Sequence, residues 1–194
     1  MSIRGKNSID TRKMTYLAIL TAIVFVLQFV SLFLRFTAFS LTFVLVPIVI
    51  GVSICGVGAG VWLGFVFGVA VLATGDAALF LQFNIPATIF LVLLKGMLAG
   101  LAAGLIYKLF EKRNRYLAII SAAVAAPIAN TGTFFAGCEL FFFEDIAARF
   151  DLKAEQVTVF IITIFIGINF FIELAVNVVL APVIYRIIEI NKKK

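Results

Sequence analysis

The chain has 194 residues, of which 63% are hydrophobic and 13% are charged, with 22 phenylalanines, no histidine and a formal net charge of +6. A soluble domain is usually about 45–50% apolar, so the composition excludes a soluble protein, which could not bury this much apolar surface in its own core. The lack of histidine excludes sites that depend on that side chain, and the basic residues form no stripe with interleaved aromatics that would indicate nucleic-acid binding.

Long apolar runs follow one another along the chain. They are continuous rather than alternating, which predicts helices that span a membrane and not the strands of a barrel. We expect the spans at approximately residues 14–34, 41–57, 58–72, 87–110, 117–143 and 157–188. The first run has no cleavage site after it and is expected to be a retained helix. The predicted fold is a single all-α integral membrane domain, residues 1–194, with six transmembrane helices.

The basic residues are unevenly divided between the two sides of this predicted bundle. One side carries Arg4, Lys6, Arg12, Lys13, Lys108, Lys112, Arg113, Arg115, Arg186 and Lys192 to Lys194. The other side carries only Arg35, Arg149 and Lys153, beside the acids Asp76, Glu144, Asp145, Asp151 and Glu155. Because cytoplasmic loops are enriched in Lys and Arg, this distribution predicts that both termini are cytoplasmic. The loops at residues 75–86 and 144–156 are then expected to face outside.

Small residues recur at helical spacing in three of the spans. Two ladders with a period of four lie in the third and fourth spans, at Gly60, Gly64 and Gly68 and at Gly96, Gly100 and Gly104. Small residues let helix backbones approach closely in a membrane, so the ladders predict packing between helices of this chain. A shorter pair in the first span, Ala18 and Ala22, predicts a groove for a neighbouring helix of this chain or of another.

Two polar features interrupt the fourth and fifth spans. Lys95 lies well inside the fourth span, where a lysine costs about 2.5–3.5 kcal/mol on insertion scales, so it is expected to face a cavity or a partner. An internal ion pair with Glu173 is one possible arrangement. Asn130 and Thr131 follow Pro127 in the fifth span, where they would bond either the carbonyl groups freed by the proline kink or a ligand.

A third polar feature lies in the sixth span. Asn169, Glu173 and Asn177 are four residues apart, which places them on one face of a helix. Such a face cannot point at lipid, so it is expected to line the bundle interior, either as the wall of a polar pocket or as a contact that holds helices together. In the first case Glu173 would orient Lys95, and Asn169 would meet the ligand.

These features predict a pocket for a small molecule near the outer surface. The predicted ligand-binding residues are Lys95, Asn130, Thr131, Asn169, Glu173, Asn84, Gln82 and Phe83, the last three from the loop at residues 75–86. An apolar site with a few convergent polar groups is typical of such pockets, and a buried cation favours an anionic ligand such as a carboxylate. No cofactor or metal is expected. The chain contains no Walker-type loop, and with no nucleophile–base pair it is not expected to be an enzyme.

Several segments resemble one known family in their order and spacing, over essentially the whole chain. They are TRKMTYLAIL with its alanine pair, a short second span ending near PIVIG, GFVFGVAVLATGD, KGMLAGLAAGLIYKL and APIANTG. With them the chain resembles the S components of energy-coupling factor (ECF) transporters. The resemblance implies a vitamin-binding subunit in a bacterial cell membrane, working with a transmembrane coupling protein and two cytoplasmic ATPases.

The resemblance also implies where the partners bind. It makes Ala18 and Ala22 candidate contacts to the coupling protein, and the loop at residues 75–86 a candidate lid over a ligand held by the fourth to sixth spans. The sequence looks most like the pantothenate-type members, and Lys95 would suit the carboxylate of that vitamin. Riboflavin, pyridoxine, folate and niacin are alternative cargoes.

Functions of other classes are also compatible with the sequence. An autonomous secondary carrier would use Lys95 and Glu173 as an ion or proton relay and would need no partner protein. A structural subunit of a membrane assembly would bind no small molecule at all. Ligand binding and transport by the purified chain distinguish these functions from that of an S component.

Overall fold

Helices account for nearly all of the computed structural model, which describes residues 11–33, 35–36, 39–40 and 43–192. The helices are α1 Thr11–Phe33, α2 Leu45–Cys55, α3 Val57–Ala73, α4 Ala78–Phe83, α5 Ile85–Phe110, α6 Arg115–Phe141, α7 Phe143–Phe150, α8 Ala154–Phe160 and α9 Gly167–Lys192. A π-helical segment, Ile161–Ile166, joins α8 directly to α9. Two short antiparallel strands, β1 Arg35–Phe36 and β2 Phe39–Ser40, follow α1.

Among the described residues, four helices are long and apolar enough to cross a membrane. They are Thr11–Phe33, Ile85–Phe110, Arg115–Phe141 and the combined helix Ala154–Ile190. The helices α2 and α3 are equally apolar but have only 11 and 17 residues, or roughly 16 and 25 Å at 1.5 Å per residue. The described helices thus follow the six predicted spans in order, and four of them have the length of a span.

The outer surface of the bundle is apolar. Phe33, Leu140 and Val179 are 86%, 77% and 72% exposed, and large apolar side chains are also exposed on α3 and α5. Soluble monomers rarely expose contiguous apolar patches of more than a few hundred Å². Lipid is the environment in which this surface is stable, so the chain is a multi-pass membrane protein.

The helix ends gather at two opposite faces of the bundle. The terminal face holds the start of α1, the α2–α3 turn, the end of α5 and the end of α9. There the thiol of Cys55 donates to the main-chain carbonyl of Lys13 at 3.6 Å, and the rings of Tyr116 and Tyr185 meet edge to face with centroids 5.4 Å apart. The loop face holds the end of α1 together with α4 and α7, and the side chains of Gln28 and Asp76 bond to each other there.

The charges follow the division that the sequence predicts. The basic residues of the terminal face are Arg12, Lys13, Lys108, Lys112, Arg113, Arg115 and Arg186, whereas the acids Asp76, Glu144, Asp145, Asp151 and Glu155 belong to the loop face. Arg4, Lys6, Lys193 and Lys194, which contribute to the predicted orientation, lie outside the described residues. Residues 34, 41 and 42, at the ends of the first two predicted spans, also lie outside the described residues.

The closest contact between helices joins α3 to α5. A Cβ atom added at Gly60 would lie 2.6 Å from the carbonyl oxygen of Gly100, and Gly64 meets the main chain of Gly96 in the same way. Since real Cβ atoms do not approach other atoms this closely, only glycine allows the two backbones to touch. The predicted packing of the two glycine ladders within the chain is confirmed.

Two predicted connections turn out to be partly helical. The helix α4 lies within residues 75–86, and all of α7 except its first residue, Phe143, lies within residues 144–156. The sequence FEDIAARF of α7 buries Ile146 on one side and places acids in the first turn and Arg149 in the last. Short amphipathic helices of this kind contain no continuous apolar run, so apolar runs in the sequence do not predict them. The combined helix Ala154–Ile190 begins before the predicted start at Val157, because Glu155 and Gln156 are polar and do not belong to the apolar run.

The glycine contact predicts a selective loss of stability in Gly100→Ala. The added methyl group would meet the carbonyl oxygen of Gly60, and such overpacking costs about 1–3 kcal/mol. Thermal unfolding of the protein in detergent should show a clearly lowered midpoint. The matched control is Gly132→Ala in α6, where an added Cβ meets no atom within 4 Å. Equal midpoints for both variants would contradict the assigned contact.

Candidate functional site

A cavity of about 220 Å³ lies near the loop face, between α3, α4, α5, α6 and α9. Its walls are largely aromatic and aliphatic, and they include Phe67, Val71, Phe80, Leu91, Phe134 and Phe170. The polar lining consists of Asp76, Thr88, Lys95, Asn130, Thr131, Asn169 and Glu173. A concave apolar site with a few convergent polar groups is the usual form of a small-molecule pocket.

Lys95 is the cation of the cavity lining. Its Nζ atom lies 4.9 Å from the centroid of the Phe134 ring, a distance at which the ring face attracts a positive charge. The charges of Glu173 and Asp76 also act on the lysine, but no described carboxylate forms an ion pair with it within 4.0 Å. The predicted pairing of Lys95 with Glu173 is thus a longer-range attraction across the cavity, and the ammonium group keeps hydrogen-bonding capacity for a ligand.

Glu173 and Asn130 form the polar end of the cavity. Both are buried, with 9% and 7% of their surface exposed, and both line the cavity, where the side chain of Asn130 faces the carboxyl group of Glu173. Within the described chain, the amide oxygen Oδ1 of Asn130 has no hydrogen-bond partner. An unsatisfied buried polar group costs about 1–3 kcal/mol, so this end of the cavity favours a ligand or water that donates a hydrogen bond.

The last long helix reaches the cavity through residues on both sides of a distorted turn. Gly167, which ends the π-helical segment with a φ of +23°, donates its N–H to the carbonyl of Ile162, five residues back. Phe165 and Ile166 lie before this glycine, and Asn169, Phe170 and Glu173 lie after it. The wider π-helical turn changes the angle about the helix axis between the residues before Gly167 and those after it, so both groups face the cavity. Single π-helical turns are frequent at functional sites.

The predicted polar face of this helix is divided in two. Asn169 and Glu173 line the cavity. Asn177 is fully buried one turn further on, where its Nδ2 donates to the main-chain carbonyl of Glu173 at 2.8 Å. Two members of the face therefore belong to a polar pocket, and the third bonds within its own helix.

Five of the eight predicted site residues come together, and three do not. Lys95, Asn130, Thr131, Asn169 and Glu173 line the cavity. Asn84 instead caps α5, since its side chain accepts a hydrogen bond from the N–H of Ala87 at 3.1 Å. Gln82 is exposed at the surface of α4, and Phe83 packs against the ring of Phe80, which itself lines the cavity.

One side chain that the sequence reasoning missed connects α1 to the cavity. Gln28 is fully buried, and its Nε2 donates to Oδ2 of Asp76 at 2.9 Å and to Oγ1 of Thr74 at 3.3 Å. Because Asp76 lines the cavity, this amide ties the first helix to the wall of the site. The available signal is that Gln28 is the single glutamine in an otherwise apolar run.

The comparison with known proteins identifies the family. The model of the family described as ECF transporter, substrate-specific component, matches residues 12–185. The chain belongs to this family. No curated protein and no solved structure matches the chain.

Members of this family are substrate-binding transport subunits, or S components, rather than enzymes. Membership confirms the resemblance seen in the sequence at the level of the family. It implies a vitamin substrate and a complex with a coupling protein and ATPases. For this S component, the cavity beside Lys95 is the candidate substrate site, because it combines an apolar wall with convergent polar groups.

The alanine pair of this S component lies away from the cavity. Ala18 and Ala22 are exposed on α1, whereas Leu20, Val24 and Gln28 of the same helix are buried. Beside the alanines, Trp62 of α3 is 48% exposed, and its Nε1 donates to Oγ1 of Thr21 at 3.1 Å. Trp62 is absent from the cavity lining.

The bond between Gln28 and Asp76 predicts that Gln28→Leu loosens the loop face. The leucine fills a similar volume but cannot donate to the carboxylate, and a hydrogen bond to a charged group contributes about 1.5–3 kcal/mol. Amide hydrogen exchange in residues 75–83 should become roughly 10- to 150-fold faster. The control is Ser31→Ala, since the hydroxyl of that buried serine donates to the carbonyl of Leu27 in its own helix. Unchanged exchange in Gln28→Leu would contradict the conclusion that Gln28 holds α1 to the loop face.

Proposed function

We propose that this S component captures a small anionic vitamin, with pantothenate as the first choice, in the cavity beside Lys95. The observation that carries the proposal is a lysine inside an apolar helix bundle that faces a cavity and forms no ion pair within 4.0 Å with a described carboxylate. A buried charge is costly, so a carboxylate on the ligand would stabilise it through a charge-assisted hydrogen bond.

The five polar residues that the sequence predicted for the cavity each have a proposed role. Lys95 binds the carboxylate of the ligand, and Glu173 holds the lysine in place by attraction across the cavity. Asn130, Thr131 and Asn169 bond the hydroxyl and amide groups along the ligand. The phenylalanine rings of the wall surround its apolar part. The cavity lining contains one cation, which favours a monoanion over a nucleotide-like polyanion.

The proposed orientation places the loop face outside and both termini in the cytoplasm. The terminal face carries most of the Lys and Arg residues, which favours the cytoplasmic side. In this arrangement all six apolar helices belong to the membrane domain, although α2 is too short to cross a hydrocarbon core of ~30 Å alone. The segment at residues 75–86, with Phe80 against the cavity, then acts as a lid on the outer side.

We further propose that α1 binds the coupling protein through Ala18 and Ala22. Both alanines are exposed, and exposed small residues at a spacing of four allow the backbone of a partner helix to approach closely. Two ATPases bound to that coupling protein would supply the energy for release. The link from α1 through Gln28 to Asp76 offers a path between this surface and the cavity.

The proposed ligand contact predicts that Lys95→Ala strongly weakens binding. Losing a charge-assisted bond of about 1.5–3 kcal/mol should weaken pantothenate roughly 10- to 150-fold, measured by isothermal titration calorimetry on the detergent-purified protein. Lys112→Ala, which removes an exposed lysine at the terminal face, is the control and should bind normally. Unaltered affinity in Lys95→Ala would exclude Lys95 from the site. A panel of riboflavin, pyridoxine, folate and niacin tests the alternative cargoes in the same instrument.

The proposed coupling surface predicts that Ala18→Leu combined with Ala22→Leu spares ligand binding but stops uptake. The larger side chains would keep the partner helix at a distance. The control combines Ala136→Leu with Ala175→Leu, which adds the same bulk to exposed positions on α6 and α9. Uptake is measured in proteoliposomes that contain the coupling protein and the ATPases. Normal uptake by the α1 variant would exclude this surface, and uptake by the chain alone would favour an autonomous carrier with Lys95 and Glu173 as its relay.

A further inference from the structure

A second cavity, of about 310 Å³, lies at the terminal face, at the opposite end of the bundle from the candidate substrate site. It is bounded by the start of α1, the α2–α3 turn and the last turns of α5. Its charged lining residues are Lys13, Lys108 and Glu111, which give it a net charge of one positive unit. In the described chain neither lysine forms an ion pair within 4.0 Å, so both ammonium groups remain available.

The helix α3 directs its amino-terminal end at this cavity. Gly56, the N-cap residue, has a φ of +94°, and both it and Val57 line the cavity. No side chain caps this 17-residue helix. The first N–H groups of a helix have no partner within the helix, and they carry the positive end of its dipole, so an uncapped end of this kind favours an anion.

A buried tyrosine adds a separate indication of a ligand. Tyr107 is only 5% exposed and lines the cavity, yet no hydrogen bond in the described chain involves its hydroxyl group. The other hydroxyl and thiol groups of the lining are already engaged, because Ser53 donates to the carbonyl of Val49 and Cys55 donates to that of Lys13. The ring is buried while the hydroxyl opens into the cavity, so it is available to donate to an acceptor on a bound group.

The surroundings of the cavity indicate where the anion comes from. Next to the lining residues of α5, Leu105 and Leu109 are 54% and 69% exposed, and next to Lys13 on α1, Met14 is 53% exposed. These side chains form the lipid-facing surface at the depth of the cavity. An anion held by the two lysines would therefore lie next to the place where a lipid acyl chain packs against the two leucines.

We infer that this cavity binds a phosphate group, supplied by the headgroup of an anionic membrane lipid. Lys13 and Lys108 neutralise the phosphate, the N–H groups at the start of α3 and the hydroxyl of Tyr107 donate to its oxygens, and Glu111 at the rim excludes a second negative charge. Juxtamembrane lysines contribute to the attraction of anionic lipids in the same way. The site is separate from the proposed vitamin site and does not depend on it.

The test is native mass spectrometry of the full chain in detergent, titrated with phosphatidylglycerol and, separately, with phosphatidylcholine of the same acyl chains. We expect tighter retention of phosphatidylglycerol. Combining Lys13→Gln with Lys108→Gln should weaken it roughly 10- to 30-fold, and Tyr107→Phe should weaken it by about fivefold or more. The matched control combines Lys112→Gln with Arg113→Gln, which removes two exposed positive charges of the same face outside the cavity lining.

The outcomes separate the possible sources of the anion. An equal loss of phosphatidylglycerol in the cavity pair and in the control pair would show attraction to net charge only and would overturn the site. Equal retention of both lipids by every variant would overturn it as well. Inorganic phosphate is titrated in parallel as a free anion. If it is bound through Lys13 and Lys108 while neither lipid is retained, the phosphate site stands and the lipid is rejected as its source.

Discussion

The contact between the backbones of α3 and α5 is the constraint on which the rest of the structure depends. Where Gly64 meets Gly96 and Gly60 meets Gly100, no side chain separates the helices, so neither helix can rotate without a clash. Lys95 precedes Gly96 by one residue and is turned about 100° from the contact, toward α6 and α9. The position of the cavity cation is therefore set by glycines that make no contact with it.

Long elements of the fold could be predicted from the sequence, because each is marked by a repeated local signal. The apolar runs and the ladder of Gly96, Gly100 and Gly104 specify helices and one helix contact independently of the other parts of the chain. The helix α7 could not be found in this way, since its single buried residue, Ile146, is recognisable only when the neighbouring helices are in place. The strands β1 and β2 are two residues long and leave no periodic pattern at all.

The sequence predicts those residues of the candidate site that are polar or charged within an apolar span. Lys95 and Glu173 would be unstable in lipid, so the sequence alone required them to face an interior space. Phe165 and Phe170 carry no such signal among 22 phenylalanines, and only the packed structure assigns them to a wall. Asn84 lies outside the cavity lining for a local reason. In the sequence NIP an asparagine stands two residues before a proline, which is also the start signal of a helix, and the side chain of Asn84 caps α5.

The π-helical segment at Ile161–Ile166 gives the last helix an uneven tolerance to changes of length. Such a segment contains one residue more than a regular turn, so a one-residue deletion there would restore an ordinary α-helix and leave the flanking residues facing their present neighbours. A deletion between Asn169 and Glu173 would instead turn all later residues by about 100° and direct the carboxylate toward the acyl chains. The turn beside the candidate substrate cavity is therefore the part of this helix where a change of length disturbs the packing least.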